Sequence, residues 1–468
     1  MTGRRKELSV LKRLYEREGF GLAVVYGRRG VGKTTLVSEF CRDKRSLFFV
    51  AQEVRIEKNL RELSRIVFSE AGITEFLEGQ TFQNLRNLFS SLGPILSGEK
   101  TVIVIDDLPY LTESDPSVIP ALLGAIDYEL SNKNVLLILS GSLEDGMERL
   151  FSKKGPLSGR AAEVLKLKPL DYQEAGELFP AYSEEEKALV YGVTGGFPSY
   201  LKLFDPKTPV WDNIAGLFFT KCGALYNEPL RLLRREFRNV MLYHTILDAI
   251  GSGAGRMKEI AKMTGYETPV LSPAVKKLLA LGILKKDIPV FWEGSRKDAA
   301  YIVSDNMLRF YYHAVAGNRI GIERGEPAEA LVMAARPFAG SFMESVFTEI
   351  CGQYLLRRAE DGGFSFSVSE LGAYRGYDPI KKEAAEIDLV ALNEEKTEAV
   401  IGSCRYKSSG MDAGEIDACF ANAGLLPCKA VKFLMFSKNG YYPSVLRRFR
   451  ETENVELLTL KELYNRDL

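Results

Sequence analysis

The sequence predicts an α/β fold built on a parallel sheet that carries a phosphate-binding loop, with smaller domains after it. Two stretches and the chain length carry that expectation. LAVVYGRRGVGKTTL at 22–36 runs from an apolar, β-branched segment through a glycine-bearing loop into an apolar-periodic helix. KTVIVIDDLPYL at 100–111 is a second apolar run that ends in two acids, the pattern of a strand buried on both faces. The chain has 468 residues, beyond the ~250–300 at which a single core stops growing, so three or four domains are expected.

The first stretch is G-x-x-x-x-G-K-T in its strand–loop–helix setting. Gly27, Gly30 and Gly32 let the backbone bend so that loop amides, with Arg28, Arg29 and Val31 between them, point at phosphate oxygens. The positive end of the following helix dipole adds to that pull. Lys33 is placed to hold the terminal phosphates. Thr34 offers a hydroxyl to Mg²⁺ and Thr35 continues the helix start. Asp106, at the C-terminal end of its strand, is the expected second metal ligand. Asp107 stands where an attacking water would be polarised, although an aspartate reaches one methylene less than a glutamate, and slow hydrolysis follows. A third apolar run, NVLLILSGS at 134–142, brings Ser140 and Ser142 to the same edge, either to contact the terminal phosphate or as turn residues. In GPLSGR, Arg160 either reaches a nucleotide as an arginine finger or fixes its loop through a salt bridge.

Composition narrows the class. Lys+Arg and Asp+Glu are both 62, so any nucleic-acid surface must be local rather than global. Six cysteines without a CxxC pair, and two distant histidines, exclude a sequence-level zinc site and fit free thiols in a reducing compartment. No run of ~18 apolar residues occurs, so no membrane span is expected and the cytoplasm is the expected location.

The middle of the chain reads as three helices and a hairpin. TILDAIGSGAGRMKEIAKMTG gives two helices, and PVLSPAVKKLLALGILKK a third, with Ser272 as N-cap, Pro273 at the first helical position and Gly282 at the stop. IPVFWEG and AAYIVSD flank GSRKD as a wing. Between Arg256 and Lys286 there are seven basic and two acidic residues, and Lys276 and Lys277 lie on the candidate recognition helix. Such a module serves either DNA contact or protein packing. Upstream, Arg231, Arg234, Arg235 and Arg238 fall on one face at helical spacing. From about residue 325 the pattern becomes a long helix at FAGSFMESVFTEICGQYLLRRA. Strands follow at EIDLVAL, EAVIGSCRYK, AVKFLMFS and VELLTL, with helices at DAGEIDACFANAGLL and PSVLRRFRE.

GRRKEL, GRRGVGKTT, IDDLPYL, LSGS, PLSGR and TGGFPSYL together resemble archaeal-type P-loop ATPases of the AAA+/STAND-related group. The resemblance implies a P-loop NTPase core at 1–170, a helical lid at 171–238, a winged helix at 239–318 and a restriction-endonuclease-like domain at 325–468. It implies ATP and Mg²⁺ as cofactors, Gly3 and Arg4 near the adenine, and Pro198 of the lid close to the nucleotide. The last domain resembles the PD-(D/E)xK nucleases. Glu344 and Asp388 match its acids, but its acid-x-lysine falls on Ser403 and Arg405. A neutral hydroxyl is a weak ligand for a hard cation and a guanidinium exchanges no proton, so a site without cleavage is expected. The expected function is an ATP-binding, slowly hydrolysing regulator that contacts double-stranded DNA. The alternatives are an ATP-driven switch that acts on a protein partner or a second copy, and an ATP-coupled nuclease.

Overall fold

The computed structural model describes residues 3–73, 81–93, 95–96, 98–142, 146–292, 294, 299–449 and 452–465. Its contacts divide into two units, Met1–Leu170 with Phe197–Ser199, and Asp171–Gly196 with Tyr200–Leu468.

The first unit is built on β1 (Gly21–Tyr26), β2 (Ser46–Val50), β3 (Thr101–Asp106), β4 (Val135–Gly141) and β5 (Glu163–Lys166). They form one parallel sheet in the order β2-β3-β4-β1-β5. Alternate residues enter opposite cores: Leu22, Val24, Ile103 and Leu137 on one face, Ala23, Val25, Val104 and Ile138 on the other. That is why β1, β3 and β4 read as unbroken apolar runs. β2 and β5 are short edge strands with exposed positions, and their signal in the sequence is correspondingly weak. Because the strands are parallel, the segments after β1, β3 and β4 leave from the same edge, with β4 between the other two.

In the second unit, Val240–Gly251, Met257–Thr264 and Thr268–Ala280 are helices, followed by the antiparallel pair β6 (Leu284–Asp287) and β7 (Ala300–Val303). The third helix starts four residues before the expected Ser272 cap. Glu267 is its N-cap and Pro269 occupies its first turn, where a missing N–H costs nothing, so Pro273 lies inside the helix. Gly282, at φ 63°, ends it as expected, with the Ile283 N–H closing back on Leu278 O at 3.0 Å. Residues 295–298 of the expected wing tip lie outside the described residues. The arginine stripe is shorter than its spacing suggested. Its helix, Glu228–Glu236, stops where Phe237 turns extended and stacks on Tyr243, so Arg238 is not on that face.

The C-terminal part opens with the helix Ala328–Glu360, ten residues longer at its start than expected, because buried Leu331, Val332 and Ala335 keep the first turns helical. A five-stranded sheet follows: β8 (Glu370–Asp378), β9 (Glu383–Leu392), β10 (Glu398–Arg405), β11 (Lys429–Ser437) and β12 (Val455–Thr459), in the order β12-β11-β10-β9-β8. β8, β9 and β10 are antiparallel, and β10, β11 and β12 parallel. Helices Ala413–Ala423 and Pro443–Phe449 supply Ile416, Cys419 and Val445 to the core on one face of this sheet. The long helix meets the sheet through ring contacts such as Tyr354 with Phe436. β8 had no expectation in the sequence; its ELGAYRGYD contains two glycines and no clean alternation.

Candidate functional site

The loop after β1 bends as its glycines allow. Gly27, Gly30 and Gly32 have φ of 156°, 82° and 96°. A Cβ on Gly27 would lie 2.4 Å from the Leu167 carbonyl oxygen, and one on Gly32 would touch the Pro198 ring at 3.5 Å. The helix Lys33–Cys41 begins directly after Gly32, so its first amides face the loop. Lys33 is buried and its Nζ donates to Gly27 O at 3.0 Å, Arg28 O at 3.4 Å and Ser142 Oγ at 3.3 Å. The lysine thus curls over the loop it serves, held by neutral oxygens that a phosphate outcompetes.

Two further segments brace this loop. Arg4, only 3% exposed, donates to Val31 O at 2.9 Å, to Glu7 at 2.9 Å and to Lys168 O. Its guanidinium therefore supports the loop from behind instead of presenting a surface to a base. From the other side Phe197, Pro198 and Ser199 dock on it. The Ser199 N–H donates to Gly30 O at 3.2 Å, and the Arg28 guanidinium lies 4.8 Å from the centre of the Phe197 ring. The structure thus brings Pro198 to the loop, at Gly32.

The carboxylate of Asp106 is fully buried and accepts from three donors: Thr34 Oγ1 at 2.5 Å, the Asp107 N–H at 3.0 Å and Ser140 Oγ. Ser140 is therefore an orienting partner of Asp106, whereas Ser142 is a partner of Lys33. Asp107 follows in the left-handed region, φ 52°, at the start of the helix Leu108–Ser114. That conformation costs a non-glycine residue roughly 1–2 kcal/mol, and it turns the chain sharply at this edge. Among the described residues no three His, Cys, Asp or Glu side chains gather as a metal cluster. The Thr34–Asp106 pair fits Mg²⁺ in particular, since that ion keeps several waters and takes the rest of its octahedron from phosphate oxygens.

Arg160 is elsewhere. It lies before β5, where the Ala162 N–H bonds to Leu22 O, near the start of β1. The loop begins five residues further along β1, roughly 16 Å away. Arg160 holds Asp127 with two hydrogen bonds, of 3.0 and 2.9 Å, and keeps that carboxyl below the ordinary aspartate range. Of the two readings of Arg160, the salt bridge is the contact that the structure contains.

Lys276 and Lys277 are exposed on the helix Thr268–Ala280, and Arg256, Lys258 and Lys262 are exposed or partly so beside it. Among the described residues none of the five forms an ion pair. The end of β6 and the segment after it contact β8: the Val290 N–H donates to Ala373 O at 2.8 Å, and Asp287 pairs with Arg375 at 2.7 Å.

The four residues matched to the nuclease pattern, Glu344, Asp388, Ser403 and Arg405, line one pocket of about 310 Å³ together with Thr348, Lys407 and Glu415. Asp388 accepts from the Cys404 N–H at 2.7 Å, and loss of hydration on burial pushes its carboxyl up against the lowering effect of that bond. Arg405 is tied to Glu415, a partner that sequence reasoning missed because it comes from the next helix. The Arg405 guanidinium is therefore paired with a carboxylate, and among the described residues Glu344, Asp388 and Glu415 do not gather as a three-ligand metal cluster.

Residues 1–204 match a family described as an ATPase domain predominantly from Archaea. Residues 311–416 match a family described as archaeal and bacterial proteins of unknown function. The chain is 27% identical over 407 residues to an uncharacterized protein of Methanocaldococcus jannaschii, covering 86% of this chain and 87% of that one. Among solved structures, it is similar to a Walker-type ATPase of Pyrococcus abyssi, with 20% identity, 67% of this chain and 96% of that chain covered and a TM-score of 0.48. It is also similar to the ORC2 protein of Aeropyrum pernix in its ADPNP–ADP complexes, with 13% identity, 71% and 95% covered and a TM-score of 0.42. The N-terminal part is thus similar to an archaeal-type ATPase domain. Among the described residues no helix is long and apolar enough to cross a membrane.

Proposed function

We propose that this protein binds Mg²⁺–ATP at the loop after β1, hydrolyses it slowly, and couples the nucleotide state to contact with double-stranded DNA. The observation that carries the ATP reading is the convergence at one sheet edge of Lys33 with Ser142 and of Thr34 with Asp106. Lys33 and the loop amides hold the phosphates. Thr34 and Asp106 hold the metal, which supplies neutralisation of phosphate charge when bound, and Asp107 orients the attacking water. Arg4 and Pro198 act by shaping the loop. The DNA reading rests on the winged-helix order of elements at 240–303 and on the exposed Lys276 and Lys277, which form no ion pair among the described residues. Each lysine brought to a phosphate releases a counterion, so affinity should fall steeply with salt.

A second reading, a switch acting on protein, is favoured by one observation: the wing side of the module is joined to β8 through Val290 and Asp287. The test is duplex-DNA binding by fluorescence anisotropy with ATP and with ADP. The DNA reading predicts nucleotide-dependent affinity, with a salt slope that falls by about 2 in a Lys276→Glu, Lys277→Glu variant. Affinity unchanged by that variant, or no DNA binding in either nucleotide, favours the protein switch. For the C-terminal pocket the proposal is a nuclease-like fold without metal-dependent cleavage, since Ser403 and the Arg405–Glu415 pair stand where an acid and a free lysine are needed.

A further inference from the structure

Arg160 is held by Asp127 and does not join Lys33 at the loop as a cation for the terminal phosphate. The loop itself carries a candidate. Arg29 is exposed, four residues before Lys33, and its Nη1 donates to the hydroxyl of Tyr110 at 3.4 Å. Among the described residues no carboxylate pairs with it.

Its direction is informative. Arg29 follows β1, and Tyr110 lies on the helix that follows β3 and the acid pair. In the sheet order β4 stands between those two strands. Neighbouring strands are ~4.8 Å apart, so the contact spans roughly 10 Å across the end of β4. Ser140 and Ser142, the partners of Asp106 and Lys33, emerge at that same end. The guanidinium therefore reaches from the loop after β1 to the helix after β3, along the same sheet edge that carries Lys33, Thr34 and Asp106. Its other loop neighbour cannot substitute for it, since Arg28 is stacked on Phe197.

We infer that Arg29 is the cation that recognises the γ-phosphate, and that the Tyr110 hydroxyl is its resting partner, which a nucleoside triphosphate displaces. This rests on the reading of the loop as an ATP site and goes beyond it by assigning the discrimination of ATP from ADP to one side chain. A single 3.4 Å contact to a phenol is weak, and a phosphate dianion displaces it readily because charge-assisted hydrogen bonds are about twice as strong as neutral ones. In hydrolysis the water oxygen forms a bond to the γ-phosphorus as the bond to the β,γ-bridging oxygen breaks. The electron pair of that bond stays on ADP, and the proton of the water passes through Asp107 to solvent. Arg29 exchanges no proton; it balances the charge on the γ-oxygens throughout.

The test is competition of ATP and of ADP against a fluorescent ADP analogue on the full chain, in Mg²⁺ and in EDTA. Arg29→Ala should weaken ATP about tenfold or more and leave ADP within about twofold, the loss expected of one hydrogen bond to a charged group. Arg29→Lys should fall between, and Tyr110→Phe, which removes the competing partner, should tighten ATP relative to ADP by about two- to fivefold. Equal effects on both nucleotides, or none on ATP, overturn the inference, as does Tyr110→Phe weakening ATP. Lys33→Ala reads out the underlying site separately: if it leaves both affinities intact, the ATP reading fails, whatever Arg29 does.

Discussion

At the scale of single residues, the loop after β1 tolerates little change because its backbone is fixed on several sides. Gly27 faces the Leu167 carbonyl, Gly30 is bonded to Ser199, and Val31 is held by Arg4. Gly27→Ala sets a Cβ against a backbone oxygen that has no rotamer to escape into. It should cost about 1–3 kcal/mol, lower the melting temperature and abolish ATP binding; a variant that melts and binds like the wild type contradicts this packing. Asp106 shows the same logic in polar form, since a fully buried carboxylate with three donors is oriented by them before any ion arrives. These residues were legible because their chemistry is concentrated in a few consecutive positions whose spacing is dictated by phosphate geometry. Tyr110, Glu415 and the bracing role of Arg4 were not legible in that way. Each acts through a partner in another element of the chain, and no local pattern records such a pairing.

At the scale of elements, the sheet decides which residues can cooperate. β1, β3 and β4 deliver their acids, hydroxyls and loop to one edge, and the turn before β5 places Arg160 at the other. Arg160→Ala should therefore leave Lys33-dependent turnover within about twofold, the size of change expected of an exposed ion pair away from the chemistry. A loss of tenfold or more would instead show it reaching a neighbouring chain's nucleotide. Its effect should lie in acid stability. Asp127 has its carboxyl lowered from the ordinary value of 3.8, chiefly by the Arg160 hydrogen bond, so this contribution is present above that pH and is lost as the pH falls through the lowered value. Thermal melts of the variant and wild type should therefore converge in strong acid. Elements with strong periodicity were legible, and boundaries set by tertiary contact were not. Ser272-Pro273 has the form of a cap, but Glu267 and Pro269 fill that role first. Phe237 ends its helix to reach Tyr243 rather than for any reason written in its own neighbourhood. β8 pairs as the edge strand of its sheet, half exposed, and carries no apolar alternation by which to announce itself.

At the scale of the whole molecule, a neutral chain with 62 charges of each sign confines any nucleic-acid contact to a local surface. Under the proposed function the exposed Lys276 and Lys277 of the helix Thr268–Ala280 would be that surface. In the C-terminal pocket Arg405 is paired with Glu415, the contact on which the proposal of a site without cleavage rests. The proposed function makes Lys33 the mark of a working ATP site coupled to DNA. The most direct measurement is ATP turnover in Mg²⁺ by the purified protein, with and without duplex DNA, using Lys33→Ala as the blank. The account predicts slow, Lys33-dependent turnover that duplex DNA raises and added salt returns to its basal rate. Turnover equal in wild type and Lys33→Ala, or a Lys33-dependent rate that DNA leaves untouched, would contradict it.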